Sequence, residues 1–588
     1  MKNLIISFLM LFVTTAQYAQ SENWQTDYEK SGMVATPTYA QTMSFLDRLD
    51  TASAEISTAD FGISPQGRPL RYLIYDVDGL KTAEQLKASG RVLLMVQAGI
   101  HPGESEGKDA LLMLLRDQVL EGKYDALFEK VSLLFVPIFN VDGHERFSPY
   151  GRINQNGPIE MGWRTTAQNL NLNRDYLKAE APEMQAWLSL FNRFDPHFFI
   201  DTHTSDGADY QYVMTYAMET AGNMEAGLTA WQAEVFLPFW KQQMNQSGFP
   251  VFPYVSFRKW HDPRSGLVSW ISGPMLSQGY TAQRNRPGLL LETHMLKPYN
   301  QRVEATKASV VHAMELLAQK ASELQELLKA ADEYTASGSF REQDFALDFQ
   351  IDMTDSTLVA FDGVAYKVTK SDLTGGDWFV YDNQKPQQFV LPFFDKAKVL
   401  KTVKLPEAYI VPVEWINIIG KLKSHGVHMK TLEADKEMLV ETYLFTDISW
   451  QTRPYEGRHR VNQMSFEPKM TNKVFPAGSV IVPMNQPLAR LIAYMLEPEA
   501  DGSLLEWGFF DAVFEQKEYA ESYVMEPLAR RMLDSIPGLR EAYQQKKQSD
   551  KNFANSSWAQ LNWFYKQTPW WDQQFMVYPI GRLMQWEE

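Results

Sequence analysis

Val92-Leu93-Leu94-Met95-Val96, followed by Ala98-Gly99-Ile100-His101-Pro102-Gly103-Glu104, decides the fold. The first part is short, apolar and rich in strand formers, and Gly107 to Leu120 then reads as a helix with an apolar face at Leu111, Leu112, Leu115 and Val119. The pattern is strand, loop, helix, with an imidazole and a carboxylate three residues apart in the loop. Open α/β sheets bind ligands outside the carboxyl ends of their strands. Three further apolar runs end in metal-binding or catalytic residue types. Val131 to Phe139 ends at Asn140-Val141-Asp142-Gly143, Phe198-Phe199-Ile200 runs into Asp201-Thr202-His203, and Leu289-Leu290-Leu291 delivers Glu292-Thr293-His294. The candidates therefore converge on one edge of an expected sheet.

A catalytic zinc site typically takes three nitrogen or oxygen ligands and keeps a fourth position for water. His101, Glu104 and His203 fill that set and call for one Zn2+ ion, which leaves Glu292 as the general base for a zinc-activated water. His-x-x-Glu alone is weak, because the spacing recurs by chance in solvated loops. Arg164 and Arg174 carry planar forks suited to a carboxylate or a developing oxyanion; the competing reading makes each a surface residue paired with an acid such as Asp175. His144, His197 and His294 read as hydrogen-bonded supporting or surface residues, His294 least securely because alternation points it to the side of Glu292.

The ordered set His101-x-x-Glu104, Arg164, Asn173-Arg174, His203, Glu292 resembles the zinc metallocarboxypeptidase family of the carboxypeptidase A-like type. Gly62 to Leu70 is similar to that family's early hairpin, Pro137 to Gly143 to one of its strand ends, and Arg286 to Glu292 to its catalytic-glutamate strand. The resemblance covers about Ile56 to Leu317 and implies an α/β fold, a mixed central sheet with flanking helices. It implies His101, Glu104 and His203 as zinc ligands, Glu292 as the base that later protonates the leaving amine, and Arg164 as oxyanion stabiliser. Asn173 and Arg174 would grip the free C-terminal carboxylate of a peptide substrate, trimmed one residue at a time. Two positions depart from the family pattern. Asn171 stands where an acid usually orients the first histidine, and Trp270 stands at the distance of the substrate-capping tyrosine, a role for which Tyr280 is the substitute candidate and packing the alternative. Arg284 and Arg286 either read an acidic substrate side chain or cap the strand.

The chain has 588 residues, 45% hydrophobic and 22% charged, which is globular composition and too long for one core. A net charge of -16 argues against a nucleic-acid partner. Met1-Lys2-Asn3, the apolar Leu4 to Val13 and the small residues to Ala19 read as a secretory signal peptide over residues 1–19, cleaved after Ala16 or Ala19 and leaving no stable membrane insertion. With no cysteine there are no disulfides, so the expected setting is a bacterial periplasm or exterior. The catalytic region is expected over 20–330, with a long helical pattern from Gln301 to Ala331 closing it. A β-rich accessory domain at 340–445 and an α+β region at 446–588 follow. In the last, Trp558, Trp563, Trp570 and Trp571 either form a sugar or peptide platform or fill cores. Two other functions fit the same residues: an amidase of peptidoglycan stem peptides, and an inactive peptide- or glycan-binding protein, against which the intact Glu292 argues.

Overall fold

The short apolar runs bounded by turn residues become the strands of a central sheet, because only a pleated layer covered on both faces can hide them entirely. The computed structural model describes residues 24–586, so the expected leader at 1–19 lies outside them. Through the catalytic region run β1 (Ile56–Ile63), β2 (Pro69–Tyr75), β3 (Val92–Gln97), β4 (Val131–Val136), β5 (Phe198–Ser205), β6 (Met214–Ala217), β7 (Val251–Pro253), β8 (Ser256–Lys259), β9 (Asp262–Val268) and β10 (Gly288–His294). Eight of them form one sheet in the order β1-β2-β4-β3-β5-β10-β6-β7. The centre, β4-β3-β5-β10, is parallel, β1 and β2 run antiparallel to their neighbours, and β6 is antiparallel to β10 and parallel to β7, so the sheet is mixed. Every residue of β3, β4, β5 and β10 is buried.

On one face the helices Glu106–Glu121 and Tyr299–Gln319 close a core that includes Leu111, Leu114, Leu115, Val310, Met314 and Leu317. The long helical pattern anticipated to Ala331 is two helices, because Lys320 (φ -114°, ψ 19°) leaves the helical region and a second helix starts at Ala321. On the other face the helix Pro182–Phe194 begins with proline, whose missing N–H costs nothing in a first turn, and drives Trp187, Leu188 and Phe191 against the sheet.

That second core does not stop at the end of the catalytic region. It joins Leu93, Met95 and Phe199 of the sheet to Phe345, Tyr409, Val482, Tyr494 and Tyr578 in one apolar cluster. The C-terminal strands are β11 (Asp344–Ile351), β12 (Thr357–Lys370), β13 (Asp377–Phe394), β14 (Ala397–Lys404), β15 (Ala408–Val411), β16 (Lys430–Thr431), β17 (Lys436–Trp450), β18 (Val461–Phe475), β19 (Val480–Pro483) and β20 (Gly581–Leu583). β13 pairs with β9, so the sheet β12-β13-β9-β8 includes a hairpin of the catalytic region. The division anticipated between 445 and 446 is corrected: it falls inside β17, and β15 before it pairs with β19 and β20 after it. Most residues of the long hairpin β17–β18 are exposed or half-buried, so its period-2 signal fades where the strands leave the core. Among the described residues no helix is long and apolar enough to cross a membrane.

Candidate active site

The loop after β3 turns sharply at Gly99 (φ +67°), where a side chain would press on the Ile138 backbone at 3.3 Å. A second turn, closed by the Glu104 N–H donating to the His101 carbonyl at 2.8 Å, puts both side chains on one side. His203 arrives from β5, two residues past Asp201. His101 Nδ1 lies 3.1 Å from Glu104 Oε1, and His203 Nδ1 lies 3.1 Å from Glu104 Oε2. The outer nitrogens are both engaged: His101 Nε2 lies 3.0 Å from Asn171 Oδ1 and His203 Nε2 lies 2.8 Å from Asp201 Oδ2. An imidazole that donates its Nε2–H outward keeps its Nδ1 lone pair for a metal. The three donors lie within 4.8 Å of one another and all three residues are buried. Two imidazoles and one carboxylate with space beside them fit a zinc ion that keeps one position open.

The two rings differ electrostatically because their outer partners differ. Burial pushes His101 down to about 4, with Glu104 working against that shift. Burial also disfavours charge on His203, but Asp201 and Glu104 hold it well above the usual histidine range. Burial acts to raise Glu104, and His101 and Arg152 hold it well below the ordinary carboxylate range instead. Thr204 N–H donates to its Oε2 at 2.9 Å, and Arg152 pairs with its Oε1.

Glu292 sits on β10 directly opposite His203 in the parallel register. Paired residues of neighbouring strands point to the same face, so the carboxylate and the imidazole share one side of the sheet. Burial pushes the Glu292 carboxyl up to about 8, with His203 opposing and the Glu104 charge adding. Glu292 lines a cleft of about 110 Å³ with His101, Glu104 and His203. Arg152, Arg164, Asn173 and Arg174 line it too, so the arginines read from the sequence do meet the candidate metal ligands and base. Arg164 Nη1 reaches Glu104 Oε1 at 3.5 Å, and Arg174 extends from a short 3-10 turn, Leu172–Arg174.

Tyr280 is not in this cleft. It is fully buried; its hydroxyl lies 2.9 Å from His425 Nδ1 and accepts from Arg284 Nη1 at 3.2 Å, so the capping expectation for it is corrected to packing. The aromatic wall is instead Tyr254 and Trp270. Arg286 is spent on Asp195 and Asp332, and Arg284 on Asn192, which makes both braces of the strand start. His294 has both nitrogens in use, Nε2 donating to the Ala208 carbonyl at 2.8 Å and Nδ1 accepting from Leu296 N–H at 3.1 Å. His144 stacks its contacts on Lys108 and Glu145, and His197 Nδ1 accepts from Leu93 N–H. Asp142 is tied to Ser64 and Arg68 of the β1–β2 hairpin, away from the cleft. Of the C-terminal tryptophans, Trp563 and Trp571 pack in a small helical core, while Trp558 and Trp570 are exposed. Sequence reasoning missed Arg152, Tyr254 and Gln278, which line the cleft from loops and a short helix where no periodicity marks them.

The family model for zinc carboxypeptidases matches residues 42–233. Carboxypeptidase 2 of Trichophyton tonsurans is 26% identical over 495 residues, covering 80% of this chain and 84% of its own length. Carboxypeptidase 2 of Trichophyton rubrum is 24% identical with the same coverage. Among solved structures, the metallo-carboxypeptidase from Burkholderia cenocepacia aligns over 48% of this chain and 70% of its own, at 17% identity and a TM-score of 0.35. Carboxypeptidase A from Helicoverpa armigera aligns over 52% and 82%, at 14% and 0.37. The match to the zinc carboxypeptidase family model falls on the stretch that carries His101, Glu104 and His203.

Proposed function

We propose that this protein is an exported carboxypeptidase that removes single residues from the free C-terminal end of peptides. The observation that carries the reading is the meeting in one cleft of two outward-anchored imidazoles, a carboxylate and, in register with His203, a second carboxylate. His101, Glu104 and His203 would hold zinc, which supplies Lewis acidity toward water and the scissile carbonyl.

The chain's own groups account for the rest. Glu292, in register with His203 on the cleft wall, is placed to take a proton from water as the water oxygen attacks the carbonyl carbon. It then returns that proton to the nitrogen as the C–N bond breaks. Arg164 stands where charge develops on the carbonyl oxygen, and Asn173 with Arg174 meets the terminal carboxylate. Tyr254 and Trp270 close the aromatic side of the cleft. Export rests on the N-terminal pattern of a lysine, an apolar run and small residues.

The test is mass spectrometry of a peptide pool incubated with the zinc-loaded protein, beside C-amidated copies. Loss of single C-terminal residues from the free acids alone is expected. Equal loss from the amides, or cleavage confined to cell-wall peptides, overturns the reading.

A further inference from the structure

We propose that Tyr455, carried by the C-terminal region, positions Arg174 to receive the substrate carboxylate. The proposal rests on the reading of Arg174 given above. Its basis is a turn, Tyr455-Glu456-Gly457-Arg458, between β17 and β18. Tyr455 N–H donates to the Arg458 carbonyl at 2.8 Å and Arg458 N–H to the Tyr455 carbonyl at 3.1 Å. The two central residues are both left-handed, Glu456 at φ +49° and Gly457 at φ +78°, as a type I′ turn requires.

All three side chains of this turn hold one segment of the catalytic region. The Tyr455 hydroxyl accepts from Arg174 Nε at 2.9 Å. Glu456 Oε2 accepts from the Asn171 N–H at 3.0 Å. Arg458 pairs with Glu180 through two bonds, Nε to Oε2 at 2.9 Å and Nη2 to Oε1 at 2.5 Å. Between those anchors lie Asn171, the partner of His101, and Asn173 and Arg174 on the cleft wall.

The consequence for Arg174 follows from its donor count. A guanidinium has five N–H bonds in a fixed plane. Nε–H goes to the phenol and one Nη1–H goes to the Asn173 carbonyl at 2.5 Å, which leaves three on a guanidinium that lines the cleft. Anchoring one edge of the fork aims the other, and a preset fork loses less freedom on gripping a carboxylate. Tyr455 is itself held, its ring stacked on the buried Trp507 at 6.0 Å between centroids and 13° between planes. Tyr455 is thus a positioning residue, acting through Arg174, and the accessory region supplies part of the substrate site.

The experiment measures peptide binding by calorimetry to the zinc-loaded full-length Glu292→Gln protein, with a free-acid peptide and its C-amide, alone and with Tyr455→Phe or Arg174→Gln added. Tyr455→Phe keeps the ring on Trp507 and removes only the hydroxyl. It should weaken the free-acid peptide about threefold to tenfold, the cost of ordering an unanchored Arg174 side chain on binding, and leave the amide unchanged. In the presence of Glu292 the same change should raise KM with kcat within about twofold, the split expected of lost ground-state binding. On top of Arg174→Gln it should add nothing, since the group it acts through is gone. Unchanged free-acid binding in Tyr455→Phe, where Arg174→Gln weakens it, overturns the positioning role and leaves the carboxylate reading standing. If the protein with Arg174 intact does not distinguish acid from amide, both readings fall together.

Discussion

Asn171→Asp should tighten zinc binding, and the structure sets the size of the effect. Two buried imidazoles of the same kind sit side by side, 5.0 Å between ring centres, and differ chiefly in their outer acceptors. His203 faces the Asp201 carboxylate and is held well above the usual range, whereas His101 faces the Asn171 amide and is pushed down to about 4 by burial. The substitution gives His101 a charged acceptor at 3.0 Å in place of a neutral one. A neutral hydrogen bond contributes about 1 kcal/mol net and one to a charged group about 2 kcal/mol. Glu456, whose carboxylate already binds the Asn171 N–H at 3.0 Å, takes back part of that gain through like-charge repulsion. The net is about 0.5 kcal/mol, or about twofold in affinity. Asp201→Asn is the mirror perturbation and should lose about tenfold to a hundredfold. Competition titrations against a chromogenic chelator at constant neutral pH read both. If Asn171→Asp binds zinc no tighter with its melting temperature unchanged, while Asp201→Asn loses at least tenfold, ligand basicity does not govern the first histidine and the argument is wrong.

Glu292→Gln should keep its full zinc content and lose about a hundredfold to ten-thousandfold in kcat, read by metal analysis and peptide hydrolysis, whereas His101→Ala should lose metal and activity together. Tyr280→Phe should cost about 1–3 kcal/mol in urea unfolding without changing KM, because its hydroxyl serves His425 and Arg284; Tyr254→Phe should do the reverse, changing KM with stability nearly constant. Glu183, buried with both carboxyl oxygens unpartnered, is pushed up to about 7 by burial, so its contribution is fully present below about 4.5 and is lost as pH rises through 7. Glu183→Gln should therefore stabilise the protein by about 1–2 kcal/mol at pH 8 and by almost nothing near pH 4.5; an equal gain at both would refute the assignment.

The parts of the site legible in the sequence are those delivered by buried strands. β3, β5 and β10 are short apolar runs that end at a polar residue type, and parallel pairing forces their carboxyl ends to one edge, so His101, Glu104, His203 and Glu292 could be brought together from the chain alone. Tyr280 failed for the opposite reason. Between β5 and β10 the chain forms β6 and β7 at the sheet edge and leaves it for β8 and β9, so distance back from Glu292 finds Trp270 on the cleft wall but does not say which tyrosine returns there. Tyr254, farther back in sequence, lines the cleft, while Tyr280, nearer, turns into the core with Trp187 and Tyr176. Arg152 stands in an irregular loop, where neither period 2 nor period 3.6 applies. The bond between Tyr455 and Arg174 joins positions 281 apart, and its one local mark is a Glu-Gly pair suited to a left-handed turn. Such a turn fixes a hairpin and names no partner. The partner is chosen by the apolar cluster that continues from the central sheet into the C-terminal strands, since that shared core holds the turn over residues 171–180. A substrate site assembled this way depends on the accessory region for its geometry, and truncation before β11 should cost free-acid recognition as well as stability.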